Sequence, residues 1–206
     1  MQEAFAGAWA CEAHLSSSTL VSLYDLNHRF LDLCAARAAD WPLPGRLMLP
    51  GDLTGQVVPL SDAQRAAAAH CPYALFDLRF QDEEHWRARL ACAGAWRVAD
   101  EVPIDDETGG FVRLALFFAW HVASSATFAA QLLLGMDEHT ARAFRGATIN
   151  CLPALVASEA VNLSARWCNS KAYWSALVRA AARADAVRLR RVQLFGLQLA
   201  AASRLA

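Results

Sequence analysis

Apolar residues recur at helical spacing along most of the chain, and the first such stripe follows Ser18 and Thr19. Its members are separated by one, three or four positions: Leu20, Leu23, Leu26, Phe30, Leu33 and Cys34. This spacing places them on one face of an α-helix. Because a hydroxyl side chain can cap a helix start, the pattern predicts a first helix from about Ser18 to Asp40 with one buried face.

Proline and glycine interrupt the next segment of the chain. Their density across residues 41–60 predicts an ordered loop. Ser61 and Asp62 are expected to begin the next helix, and residues 81–98 fit another. The period does not decide whether Tyr73 to Phe80 forms a helix or a short strand.

The stretch from Leu114 to Leu134 contains no Asp, Glu, Lys or Arg. It is long enough to span a membrane. His121 and four further polar residues interrupt the stretch. We therefore expect a central buried helix and no membrane association.

Beyond this stretch the chain is divided by Gly135, Gly146 and Pro153. We expect a short helix capped by Asp137, another from Pro153 to Ala160, and one or two helices from Ser170 onward. Residues 128–145 also follow the outline of a helix-turn-helix, with the glycine in the turn. An ordinary helical hairpin would give a similar sequence, so both interpretations stay open.

Composition agrees with a helical fold. Of 206 residues, 56% are hydrophobic, and Arg outnumbers Lys by 18 to 1. Abundant Ala and clustered Gly and Pro favour helices over sheet. We predict an all-α multi-helix bundle with two parts: an acidic N-terminal part, residues 1–108, which contains the 41–60 loop, and a C-terminal part, residues 109–206, with a basic tail.

Charge is distributed unevenly despite a total of −1. Residues 1–138 carry 18 Asp or Glu and 9 Arg, whereas residues 139–206 carry 9 Arg and Lys171 against only Glu159 and Asp185. Such a basic block is typical of a surface that contacts a polyanion or the acidic face of another protein.

Two basic elements could contact nucleic acid. On the second helix of the 128–145 segment, His139, Arg142 and Arg145 fall within an arc of about 120°. In the tail, Arg179, Arg183 and Arg190 share one side if the helix from Ser170 is unbroken, and could follow a phosphate backbone. A solvated charged face is the alternative. The candidate nucleic-acid-binding residues are Arg142, Arg145, Arg166, Lys171, Arg179, Arg183, Arg190 and Arg191.

The sequence contains no recognisable catalytic or metal-binding motif. The close Cys/His pairs, Cys11 with His14 and His70 with Cys71, lack the spacing of a zinc site, and we expect no cofactor and no catalytic residue. His121, beside Trp120, could line a ligand pocket, although a core histidine is the alternative. Irregular cysteine spacing and the start Met-Gln-Glu favour a reducing cytoplasm.

Three stretches carry a family resemblance: Leu-Leu-Leu-Gly-Met-Asp-Glu-His-Thr-Ala at 132–141, Leu-Pro-Ala-Leu-Val at 152–156, and Ser-Ala-Arg-Trp at 164–167. From about Leu114 to Leu177 the chain resembles the bacterial flagellar transcriptional regulator FlhD. The resemblance implies an all-helical, self-associating protein that binds promoter DNA together with a partner.

Three functions are possible as hypotheses. The first is a transcription-associated DNA-binding regulator that acts through a basic C-terminal surface. The second is a non-enzymatic helical adaptor or secretion-type accessory protein, whose acidic and basic faces would make it a homo-oligomer. The third is a small-molecule sensor or enzyme with a pocket near His121.

Overall fold

The computed structural model describes residues 16–37, 57–93 and 107–202. Most of the predicted loop, residues 41–56, lies outside the described residues. The described part contains nine α-helices and a two-stranded sheet, which confirms the all-α prediction. In chain order they are α1 (Ser17–Arg37), α2 (Asp62–Ala69), β1 (Phe76–Asp77), α3 (Glu83–Ala93), α4 (Glu107–Ser125), α5 (Thr127–Leu134), α6 (Glu138–Gly146), α7 (Leu152–Ala160), β2 (Ser164–Ala165), α8 (Lys171–Ala182) and α9 (Ala186–Ala202).

Helix α1 begins slightly earlier than its hydroxyl residues predict. The side-chain oxygen of Ser16 accepts a hydrogen bond from the backbone N–H of Thr19 at 3.2 Å, which satisfies one of the free donors of the first turn. The expected apolar face is buried, apart from the partly buried Leu20: Leu23, Leu26, Phe30, Leu33 and Cys34.

Helix α4 is the centre of the fold and packs against α1, α5, α6 and α7. Ten of its residues are buried, Phe111 and Leu116 among them. The central buried helix that the sequence predicts is therefore present, but it covers only the first part of the Leu114 to Leu134 stretch. The chain leaves the helix at Ala126, and the second part forms α5. Among the described residues, none of the helices combines the length and the apolar character needed to cross a membrane.

The ambiguous segment 73–80 forms a short strand. Phe76 pairs with Ala165 and Asp77 with Ser164, antiparallel. Side-chain bonds from α1 hold the chain on either side of this strand: the amide nitrogen of buried Asn27 lies 2.9 Å from the carbonyl of Tyr73, and its oxygen lies 2.8 Å from the N–H of Leu75. These long-range bonds decide the conformation that the local pattern leaves open.

The segment 127–146 forms the two helices and turn that the sequence predicts. Gly135 adopts φ +72°, the left-handed conformation that ends α5. Asp137 caps α6 by accepting a hydrogen bond from the N–H of His139 at 2.7 Å.

The C-terminal region is broken by a turn. The N–H of Asp185 bonds the carbonyl of Ala180 at 3.1 Å and the N–H of Ala184 bonds that of Ala181 at 2.9 Å, while Ala184 adopts φ +51°. This pattern is a Schellman motif that closes α8. The carboxylate of Asp185 then accepts from the N–H of Arg188 at 3.0 Å and opens α9.

The core joins both predicted parts of the chain. One cluster of buried side chains extends from Leu23 in α1 to Leu189 in α9. Helix α2 packs on α8, and the amide of Gln64 donates to the carbonyl of Ala182 at 2.9 Å. The hairpin of α8 and α9 is thereby fixed to the N-terminal part.

Candidate nucleic-acid interface

The turn at Ala184 folds α9 back onto α8 and brings four arginines together. Arg179 and Arg183 come from the end of α8, and Arg188 and Arg191 from the start of α9. All four are exposed and line one cleft between the two helices. We call it the arginine cleft.

The arginine cleft has an apolar floor and a cationic rim. Its volume is about 260 Å³, and Ala176, Ala180 and Val192 complete its lining. The small alanines let the two helices approach closely, while the long arginine stems extend along the apolar surface and carry their charges outward.

Two of the four guanidinium groups are held in position. Arg179 donates to the carbonyl of Ser175 at 3.0 Å and to its hydroxyl at 2.8 Å. The Nε of Arg188 lies 3.2 Å from a carboxylate oxygen of Asp185. Arg183 and Arg191 make no ion pair with any residue that the structure describes, so their donors are available to an anion.

The two carboxylates of the basic segment leave this surface short of negative charge. Glu159 is fully buried, where its carboxylate lies 2.9 Å from His85 and 3.3 Å from Arg89 on α3. It therefore neutralises residues of the N-terminal part. Of these two carboxylates only that of Asp185 lies beside the arginine cleft, and the described residues that line the cleft include four arginines and no acidic residue.

Arg190 lies on another side of α9 than the predicted alignment requires. With Arg191 it borders a second groove of about 290 Å³, which Val187 and Leu194 also line. The break at Ala184 invalidates the continuous helix on which the alignment of Arg179, Arg183 and Arg190 depends. The prediction that these three arginines share one side of a single helix is therefore wrong. Arg179 and Arg183 instead line a cleft between two helices.

Arg166 is a correction to the predicted set because its side chain is buried, with 6% exposed. Its guanidinium donates to the carbonyl of Leu133 at 3.1 Å and stacks on Trp167 at 4.6 Å from the ring centroid. Burial lowers the pKa of Arg166 to about 10, while the nearby Asp77 carboxylate raises it. A side chain in this position holds the fold together and cannot reach a nucleic acid.

Gly135 shows how closely Arg166 packs. A Cβ placed on this glycine would lie 2.4 Å from Nη2 of Arg166. The turn between α5 and α6 therefore needs glycine both for its left-handed backbone and for the space that the guanidinium occupies.

The remaining basic residues of the prediction lie elsewhere. Arg142 and Arg145 are exposed on α6, where Arg142 pairs with Glu138 one turn earlier. Helix α6 packs on α3, α4 and α5, whereas α8 packs mainly on α9 and α2. Lys171 is exposed at the opposite end of α8 from the arginine cleft.

The two candidate pocket residues on α4, Trp120 and His121, lie in different surroundings. The indole of Trp120 donates to the carbonyl of Ala147 at 2.9 Å, which fixes this ring between α4 and the segment after α6. His121 is exposed. The tryptophan therefore acts as a packing residue, and the histidine is not the core histidine that the alternative expects.

Both tryptophans of the basic segment also pack internally. Trp174 is fully buried and donates to the carbonyl of Arg166 at 2.9 Å, and Trp167 packs edge-on against Tyr73 and Tyr173. Both rings therefore contribute to the aromatic packing around Tyr173.

One group of metal-ligating types exists among the described residues. Ligand atoms of His28, Asp32 and Asp62 lie within 4.8 Å of one another. Arg65 pairs with both aspartates, so its guanidinium already supplies the positive charge between these helices. The group links α1 to α2.

Arg188 is the residue that sequence reasoning missed. An unbroken helix places it away from Arg179 and Arg183, and only the turn returns it to them. Asp185 followed by Ala186 was the available signal, since an aspartate often caps a helix start.

Comparison with protein-family models, with curated proteins and with solved structures finds no match for this chain. Function must therefore be inferred from the chemistry of its own residues.

Proposed function

We propose that this protein is a transcription-associated DNA-binding regulator and that the arginine cleft contacts the phosphate backbone. The observation that carries the proposal is the convergence of four guanidinium groups from two helices on one exposed cleft. Guanidinium forks match phosphate oxygens with two parallel hydrogen bonds, and these contacts are strong because both partners are charged.

Phosphate contacts position a protein on DNA without reading its sequence. Arg183 and Arg191 form no ion pair within the part of the chain that the structure describes, and Arg190 adds charge on the neighbouring side of α9. The basic side of the hairpin would therefore follow one strand of the backbone. Arg142 and Arg145 on α6 have no part in this contact.

The experiment is a titration of a fluorescently labelled 20-base-pair duplex, followed by anisotropy at low salt. The test variant combines Arg183→Ala and Arg191→Ala, both at exposed positions. The control combines Arg87→Ala and Arg113→Ala, which removes the same charge from exposed positions on α3 and α4. We expect the test variant to bind about tenfold more weakly or worse than the native chain.

The control should bind like the native chain. If native protein does not bind the duplex at low salt, or if both variants weaken binding equally, the proposal fails. Circular dichroism of both variants checks that their helices remain folded.

A further inference from the structure

The arginine cleft holds more positive charge than one phosphodiester can neutralise. Its lining carries four guanidinium groups and one adjoining carboxylate, that of Asp185. A phosphodiester supplies a single negative charge, and successive phosphates of a duplex strand are spread along the helix axis. The excess charge around the rim of the cleft therefore favours a denser anion.

Shape gives the same indication. A duplex is too large to enter a cleft of about 260 Å³, so its phosphates can contact the rim alone and the space over the apolar floor stays unfilled. That space is somewhat smaller than a typical small-molecule pocket and would hold several water molecules. A short chain of phosphates could enter and meet guanidinium groups on both walls.

Two of these groups are already oriented before any ligand arrives. Ser175 tethers Arg179, and Asp185 tethers Arg188 on the facing helix. Ordering a long side chain costs free energy on binding, and tethering in advance reduces that cost. Arg183 and Arg191, which make no ion pair with the described part of the chain, supply the other two guanidinium groups of the lining.

We propose that the arginine cleft binds a compact polyphosphate anion with three or more negative charges, in competition with nucleic acid. Only the competition rests on the proposed DNA contact. The shared chemistry is a chain of phosphates, whether inorganic or attached to a nucleoside. Contact between a nucleobase and the apolar floor of Ala176, Ala180 and Val192 would favour the nucleoside form.

The test is calorimetric titration of the full chain with sodium tripolyphosphate, with ATP and with sulfate, all at one ionic strength. We expect saturable one-to-one binding of tripolyphosphate or ATP, and much weaker binding of sulfate. The variant with Arg183→Ala and Arg191→Ala should bind about 10- to 100-fold more weakly. The variant with Arg87→Ala and Arg113→Ala should match the native chain. Tighter binding of ATP than of tripolyphosphate identifies the nucleoside form, and the reverse identifies the inorganic one.

A second measurement adds tripolyphosphate to the protein bound to labelled duplex, where release of the duplex is expected. The inference is overturned if neither phosphate compound saturates, if sulfate binds equally well, if the two double variants are indistinguishable, or if bound duplex is not released. Duplex binding that depends on Arg183 and Arg191 without polyphosphate binding would reject this inference alone. Polyphosphate binding without duplex binding would instead reject the proposed function together with the competition step.

Discussion

Burial gives two arginines of the same basic segment different roles. Arg183 is exposed at the end of α8, where it can bind an anion, whereas Arg166 is 6% exposed and bonds the carbonyl of Leu133. Its Nη2 is buried without a hydrogen-bond acceptor among the described residues. The Asp77 carboxylate raises the pKa of Arg166 and so offsets part of the cost of burying this charge.

Substitution Arg166→Met should lower the free energy of unfolding by about 1–3 kcal/mol at pH 7, because it removes the hydrogen bond to the carbonyl of Leu133 and the positive charge that acts on the buried Asp77. Urea denaturation measures this loss. The exposed Arg145→Met serves as the control and should change stability by less than about 0.5 kcal/mol. An Arg166→Met protein as stable as the native chain would contradict the structural role.

The same variant has a predictable pH dependence. Burial raises the pKa of Asp77 in the folded state, and Arg166 lowers it. A raised carboxyl pKa favours folding below the unfolded pKa, and that contribution is lost as pH rises through the folded pKa. Removing Arg166 raises the folded pKa further, so the stability deficit of Arg166→Met should shrink as pH falls from 7 toward 4. A deficit that is constant over this range would exclude Asp77 as its cause.

At the scale of elements, the hairpin of α8 and α9 depends on a residue in an unfavourable conformation. Ala184 occupies the left-handed position of the Schellman motif at φ +51°, where glycine is the usual residue. Since an L-residue with a Cβ is strained there, the chain gives up some stability at this turn.

Substitution Ala184→Gly should therefore raise the free energy of unfolding by about 1 kcal/mol. Thermal unfolding measures the gain. Ala182→Gly, at an ordinary helical position two residues earlier, is the matched control and should destabilise by about 1 kcal/mol. Equal losses in both variants would show that Ala184 is not left-handed in solution.

Helix α9 also depends on one close approach to the body of the protein. A Cβ on Gly196 would lie 1.9 Å from the hydroxyl oxygen of Tyr73. That ring is fully buried, and its hydroxyl lies 3.1 Å from the hydroxyl of Tyr173 and 3.2 Å from the carbonyl of Gln193. The ring cannot move aside easily, so an added methyl group must displace α9.

We expect Gly196→Ala to destabilise the protein by about 1–3 kcal/mol through overpacking and to weaken anion binding by moving Arg188 and Arg191. Denaturation and the duplex titration measure the two effects. Gly110→Ala, on α4, is the control because nothing lies within 4 Å of its added Cβ. Native stability of Gly196→Ala would contradict this packing of α9.

Local signals are enough to predict several elements. The caps at Ser61 and Asp137 and the turn at Gly135 follow from side-chain chemistry within a few residues, and the structure confirms each. Apolar spacing alone also identifies the buried face of α1. Such features depend on short-range hydrogen bonds and on burial, which the sequence displays directly.

Other features depend on distant parts of the chain. The strand at Phe76 exists because Asn27 and Ala165 bond its neighbourhood, and no local period indicates that. The burial of Arg166 likewise depends on Asp77 and Gly135, far away in sequence. The turn at Ala184 lacks a glycine, and so the arginine cleft could not be derived from helix geometry alone.

At the scale of the whole molecule, uneven charge along the chain becomes a local cationic surface. Glu159 is drawn inward by His85 and Arg89, so the C-terminal segment loses one of its two carboxylates to the interior. The basic hairpin is joined to the N-terminal part through α2 and a shared core. A polyanion would therefore meet the hairpin as a fixed surface, and not as a loose tail.

The most direct test of this account is the salt dependence of duplex binding. For the native chain, the logarithm of the binding constant should fall linearly with the logarithm of salt concentration. The variant with Arg183→Ala and Arg191→Ala should show a slope smaller by about 2, since each lost phosphate contact removes about 0.9. The variant with Arg87→Ala and Arg113→Ala should keep the native slope, and identical slopes for all three proteins would contradict a phosphate-binding arginine cleft.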